Sequence, residues 1–246
     1  MTTTGTDIKT LYDAGLHVGY SRTRRHPSAV PYLFGTKDRV DVFDLERTQK
    51  HMDAALAFVL SVAQSNKHLL FIGGKPESAV ALRAAAERAE MPYVASRWIG
   101  GTLTNFKNIR KRIERLLKLT EERESGELAK YTKRERLLLD REAEKLRARF
   151  GGLIPMVDLP AAVFVVDTKY EHTAVCEANH LGIPVVGLLS SDCDFSLIQY
   201  PIPANDTSVK SVRLVCDRVA EACIEGKEHQ MNAKIPSTKH QITNNI

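Results

Sequence analysis

A chain of 246 residues with 43% hydrophobic content is long enough for one large domain or two modest ones and supports a real core, which excludes a wholly disordered protein. No apolar run approaches the roughly 20 residues that span a bilayer, and the start MTTTGTDIKT has neither a secretory signal's apolar stretch nor a transit peptide's arginines, so a cytosolic chain with no membrane partner is expected. The net charge of +5 is small but uneven: Thr104 to Arg149 holds 15 Lys or Arg against 9 Asp or Glu, while the remainder holds 20 against 21. Basic charge gathered in one segment is the footprint of a polyanion binder.

The predicted elements alternate. Leu45 to Gln64 reads as a helix. His68 to Ile72 is a short apolar strand ended by Gly73-Gly74, followed by an Ala-rich helix from Glu77 to Glu90 that stops before Pro92. Tyr93 to Ala95 is a weak second strand. Ala161 to Val166 is continuous and β-branched, as a strand covered on both faces should be. A helix from Glu171 to Leu181, a covered strand from Pro184 to Leu189 and an amphipathic helix from Val209 to Glu225, ended at Gly226, complete the series. Strands alternating with helices predict a Rossmann- or flavodoxin-like α/β fold, a mostly parallel sheet with helices on both faces.

That series is interrupted between the second and third strands. Phe106, Ile109, Ile113 and Leu116 make a helical stripe, and Ser125-Gly126 breaks it. Thr132-Lys-Arg-Glu135 has capping-box form, and Leu139, Ala143, Leu146 and Phe150 make a second stripe up to Gly151-Gly152. Two such stripes predict an inserted antiparallel helical hairpin. The expected organisation is an α/β body of residues 1–103 and 151–226, a hairpin of residues 104–150, and a polar, mobile tail of residues 227–246.

Enzyme constellations are missing. Gly73-Gly74-Lys75 follows a strand, but the phosphate-loop spacing is absent and Pro76 stands where Ser or Thr belongs. No G-x-G-x-x-G or G-x-S-x-G motif occurs. Asp167, at the end of the strongest strand, is read as a cap of the following helix before it is read as a functional carboxylate. Cys176, Cys193, Cys216 and Cys223 form no C-x-x-C pair. His172 and His180 have no zinc-type companions. Neither a cofactor nor a metal is expected. Cys216 and Cys223, seven apart, are expected to share a buried helix face.

The basic stretches carry more. Arg22, Arg24 and Arg25 stand near Tyr32 and Phe34, and Arg97-Trp98-Ile99-Gly100-Gly101-Thr102 leads through Asn105 to Lys107, Arg110, Lys111 and Arg112. Guanidinium groups pair with phosphates and exposed aromatics stack on bases. Gly100-Gly101 permits close backbone approach, Thr102 or Thr104 would cap the next helix, and the free N–H groups of a helix start attract phosphate. Trp98 is read as packing between body and hairpin. Charge alone leaves RNA contact and plain solvation equally open here.

The same residues carry a resemblance. RWIGGTLTNFKNIRKRI, Arg97 to Ile113, resembles the R-W-L-G-G-x-L-T-N-[WF] signature of the bacterial small-subunit ribosomal protein S-two family. In the family's order come GLHVGY (Gly15 to Tyr20), PYLFG (Pro31 to Gly35), DLERT (Asp44 to Thr48) and LFIGGK (Leu70 to Lys75). FGGL (Phe150 to Leu153), LPAAVFVVD (Leu159 to Asp167), EANHLGIPVVGL (Glu177 to Leu188) and IPAND (Ile202 to Asp206) follow. The likeness runs from about Asp7 to Glu225. It implies a cytoplasmic structural constituent of the small ribosomal subunit, not an enzyme and not an autonomous homo-oligomer. It further implies a place between head and platform, contact with small-subunit ribosomal RNA and neighbouring ribosomal proteins, and help in recruiting ribosomal protein S-one. The expected RNA contacts are Arg22, Arg24, Arg25, Arg97, Gly100, Gly101, Thr102, Asn105, Lys107, Arg110, Lys111 and Arg112. Two segments depart from the family pattern. Gly19-Tyr20 and Arg25-His26-Pro27 replace its G-H and W-N-P, and Ser191 to Phe195 replaces its T-N-x-D-P, so the latter loop is expected to fold differently. The alternatives are a phospho-ligand enzyme using the ends of the strands and a protein–protein adaptor using the hairpin.

Overall fold

A computed structural model describes residues 7–233. A short helix α1 (Ile8–Asp13) leads into a three-stranded antiparallel sheet of β1 (Val18–Ser21), β2 (Leu33–Lys37) and β3 (Val40–Phe43), ordered β1-β3-β2. The β2–β3 turn is made at Asp38 and Arg39, both left-handed (φ 51° and 66°). Such a turn is usually flagged by Asn-Gly, which this sequence lacks, so the hairpin carries no local sequence signal.

The body follows as α2 (Leu45–Gln64), β4 (Leu69–Ile72), α3 (Pro76–Arg88) and β5 (Tyr93–Val94), then after the hairpin β6 (Ala162–Val166), α6 (His172–His180), β7 (Val185–Leu189), β8 (Tyr200–Pro203) and α7 (Val209–Ala233). Its five strands are all parallel, in the order β5-β4-β6-β7-β8. This is the flavodoxin-like order, whose reversal falls between β4 and β6. Pro201 and Pro203 argue locally against a strand at β8, but it lies at the sheet edge, where prolines are tolerated.

Strand alternation divides the core in two. Leu69, Phe71, Phe164, Val166, Val186 and Leu188 face α2, α3 and α7, joined there by Cys216 and Cys223. Leu70, Ile72, Val163, Val165, Val185 and Leu189 face α6, the hairpin base and the antiparallel sheet. Both faces of β6 and β7 are wholly buried, which is why their sequences show no polar alternation.

The hairpin consists of α4 (Phe106–Glu124) and α5 (Lys133–Phe150). Ile109, Ile113 and Leu116 are buried, and α5 opens with the capping box of Thr132 and Glu135. Helix α7 corrects the expected stop at Gly226. Gly226 packs so tightly on α2 that a Cβ would lie 2.5 Å from that of Ala63, so this glycine serves close helix packing and not termination. Residues 227–233 therefore continue the helix. The remainder of the expected tail, residues 234–246, lies outside the described residues.

Candidate nucleic-acid interface

The loop between β5 and α4 is organised by a residue that sequence reading did not single out. Glu177, on the inner face of α6 and 8% exposed, accepts hydrogen bonds from Trp98 Nε1 (3.1 Å), the Gly101 N–H (2.7 Å), the Leu103 N–H (3.0 Å), and the Thr104 N–H and hydroxyl (3.2 Å each). Burial alone would raise its pKa, but these donors together hold it below the usual glutamate range. Gly101 sits at φ 87°, where other residues are strained.

This clasp corrects several expectations. The amides of Gly101, Leu103 and Thr104, ahead of the start of α4, are given to Glu177. Thr102 is buried and its hydroxyl proton is donated to the Ile99 carbonyl (2.6 Å). Neither threonine caps α4; Asn105 is the N-cap and makes no side-chain cap bond. Trp98 is a packing residue, as expected, and its ring nitrogen is a strut of the loop.

Of the remaining expected contacts, Arg97, Gly100, Asn105, Lys107, Lys111 and Arg112 are exposed. Arg97, Lys107, Lys111 and Arg112 have no carboxylate within ion-pair distance among the described residues. Arg110 is half-buried, donating to the Met156 carbonyl (3.1 Å) with Glu114 at 3.7 Å.

The amino-terminal group divides likewise. Arg22 and Arg24 are exposed, Arg24 lying over the Tyr20 ring at 5.9 Å. Arg25 instead turns inward, where its Nε donates to Asp41 (2.7 Å) and its Nη2 to Asp41 and Thr36. Asp41 is fully buried, and the Arg25 guanidinium is the main reason its pKa is lowered. Arg25 is thus a structural ion pair. Phe34 is 82% exposed; Tyr32 is not free, being stacked on Phe195 at 4.5 Å. Ala29 and Trp98 belong to the same core cluster, so both basic segments are rooted on one face of the sheet.

The two segments that depart from the family pattern touch. The Tyr20 N–H donates to Ser191 Oγ (2.9 Å), the His26 N–H to the Ser191 carbonyl (2.8 Å), and Ser28 links to Asp194 (3.3 Å). A change in one is therefore a change in the environment of the other.

At the sheet reversal, where doubly wound folds bind ligands, the crevice holds one lysine between two buried carboxylates. The Lys75 ammonium pairs with Asp167 and lies 3.6 Å from Asp206. Burial would lower the lysine's pKa, but the bond to Asp167 and the charge of Asp206 raise it. Asp206 accepts no hydrogen bond among the described residues, and burial plus Asp167, only partly offset by Lys75, push it up to about 7. Ligand atoms of Asp167, Cys193 and Asp206 lie within 4.8 Å of one another, an arrangement able to hold a cation. Lys75 supplies positive charge at that spot, and the acidic surroundings repel phosphate. Gly74 donates its N–H to Glu171 (2.8 Å), and a Cβ there would meet the Ser96 carbonyl at 2.8 Å, so close packing explains this glycine. Asp167 Oδ1 caps the turn ahead of α6 through the N–H groups of Lys169 and Tyr170, one turn earlier than expected.

No helix of the described residues is long and apolar enough to cross a membrane. A family model described as Ribosomal protein S2 matches residues 11–226. Relatives named small ribosomal subunit protein uS2 include one from Syntrophobacter fumaroxidans, 42% identical over 220 residues covering 89% of this chain and 80% of that protein. Another from Nitratiruptor is 41% identical, covering 90% and 83%, and one from Roseiflexus castenholzii is 40% identical, covering 91% and 85%.

Proposed function

The chain belongs to the ribosomal protein S2 family, and from that premise we propose that it is a non-enzymatic constituent of the small ribosomal subunit in the cytoplasm, holding small-subunit ribosomal RNA by its phosphate backbone. The observation that supports RNA contact is the exposed, acid-free row of Arg97, Lys107, Lys111 and Arg112 on a loop and helix locked by Glu177. Long basic side chains on a preformed loop lose less freedom on binding than the same charges on a mobile segment. Recognition is of RNA shape and backbone, with Arg22 and Arg24 as a second contact group. Arg25, Thr102 and Arg110 are weaker candidates for that contact, since each already gives at least one donor to an internal acceptor.

The position between head and platform and the recruitment of ribosomal protein S-one follow from the family resemblance alone. Exposed Phe34 on the edge strand β2 supports a protein contact on that side. The test is sedimentation of a lysate of the native organism, with the fractions probed for this chain. Co-migration with small subunits through a moderate-salt wash is expected; recovery only as a light species would overturn the proposal. Replacing Lys107 and Lys111 together by Ala should lower the salt slope of binding by about 1.4 to 1.8, the release of about two counterions.

A further inference from the structure

Where the hairpin base meets edge strand β5, an open cavity of about 350 Å³ lies between Arg83 of α3, Tyr93, Ser96, Arg147 and Arg149 of α5, and the backbone at Gly151-Gly152. No Asp or Glu of the described residues lines it. Arg149 has no hydrogen-bond or ion-pair partner among the described residues, Arg83 only stacks over the Tyr93 ring (5.7 Å), and Arg147 only donates to the Thr120 hydroxyl (3.3 Å). Elsewhere on the helices Arg88, Arg115, Arg123 and Arg218 each have a carboxylate within 4.0 Å. Glu87, one turn beyond Arg83, is engaged by the Tyr93 hydroxyl (2.7 Å).

Arg83, Arg149 and the stem of Arg147 line this concave surface, the Arg147 guanidinium itself reaching toward Thr120 on α4, and the positive charge of Arg83 and Arg149 favours an anion there. Arginine's planar fork matches phosphate oxygens two at a time, and a concave wall of low dielectric strengthens the attraction. The walls are preformed. Gly152 approaches Tyr93 so closely that a Cβ would lie 2.3 Å from its carbonyl oxygen, and the Ser96 hydroxyl reaches the Ala148 carbonyl (3.5 Å). The cavity also continues the basic loop in sequence, since Ser96 lines it and the exposed Arg97 is the next residue. Its openness and polar lining suit a phosphate with its flanking sugars better than an enclosed small molecule, whose pockets are mostly apolar.

We propose that this cavity is a further RNA phosphodiester site, distinct from the residues 22–25 and 97–112. The proposal rests on the reading of the chain as an RNA-binding ribosomal protein. The test compares full-length wild type with R83Q/R147Q/R149Q for rebinding to small subunits depleted of the chain, over a range of KCl concentrations. All three sites are exposed, so the fold should be kept, which circular dichroism checks. The variant should bind more weakly, with a salt slope smaller by about 1.4 to 1.8, while R83K/R147K/R149K should recover most of the slope. Ultraviolet crosslinking of the wild-type particle should join RNA to the peptide containing Tyr93. Equal slopes for wild type and the glutamine variant, with no crosslink at Tyr93, would overturn the proposal. Failure of the wild type itself to rebind would instead strike the ribosomal reading, and this site with it.

Discussion

Replacing Glu177 should both destabilise the protein and loosen its basic loop. In Glu177→Ala, five donors lose their acceptor, among them the Leu103 N–H in a buried residue and the Trp98 Nε1. A buried group left without a partner costs about 1 to 3 kcal/mol. Two such groups, with the more exposed Gly101 and Thr104 amides turning to water, give a loss of about 3 to 5 kcal/mol. For a chain of this size that is about 6 to 20 °C in Tm. Glu177→Gln keeps one acceptor oxygen but turns an amide NH2 toward donors, so it should fall between wild type and Ala. The assay has a built-in local reporter, since Trp98 is the only tryptophan and is itself a donor to the clasp. Its emission should shift to the red in the folded variant. Because the folded pKa of Glu177 is depressed, its contribution is present above the ordinary glutamate pKa and is lost as pH falls through the folded value; the wild type should lose this increment only in acid. A Glu177→Ala protein with unchanged emission and a loss under about 1 kcal/mol would refute the clasp.

Arg25→Ala should cost about 2 to 4 kcal/mol in chemical denaturation, because it strands the fully buried Asp41 with Thr36 alone; a neutral substitution that weakened RNA binding would return Arg25 to the contact surface. Gly152→Ala should lower stability by about 1 to 3 kcal/mol or more, since its Cβ collides with the Tyr93 carbonyl and ring, and a thermal melt equal to wild type would show that this junction yields. Asp206 has a folded pKa raised from 3.8 to about 7, so the stability it contributes is full below its unfolded value and is lost as pH rises through about 7. Asp206→Asn should therefore flatten the decline in Tm between pH 5 and pH 8; an equally steep decline in the variant would mean another group titrates.

The parallel strands, the helices between them and the hairpin were legible because each leaves a local trace. Val163 to Val166 is an unbroken apolar run because both faces of β6 are covered, and Ile109, Ile113 and Leu116 recur at helical spacing because one side of α4 is. Strand β8 and the β2–β3 hairpin were hidden because prolines and an Asp-Arg turn contradict the usual local signals, and only their sheet neighbours make them strands. Gly226 carries the same lesson: a glycine after a helical run reads as a stop, yet its closeness to Ala63 makes it a packing surface. For the interface, the sequence by itself determined which residues are basic and that they gather in two stretches. It could not say which charges are spent inside the protein. Arg25 meets an acid 16 residues away, and the loop at Gly101 meets Glu177, 76 residues away on another element. A charge's availability depends on the solvent and partners around it, and those are set by contacts distant in the chain that only the tertiary structure creates.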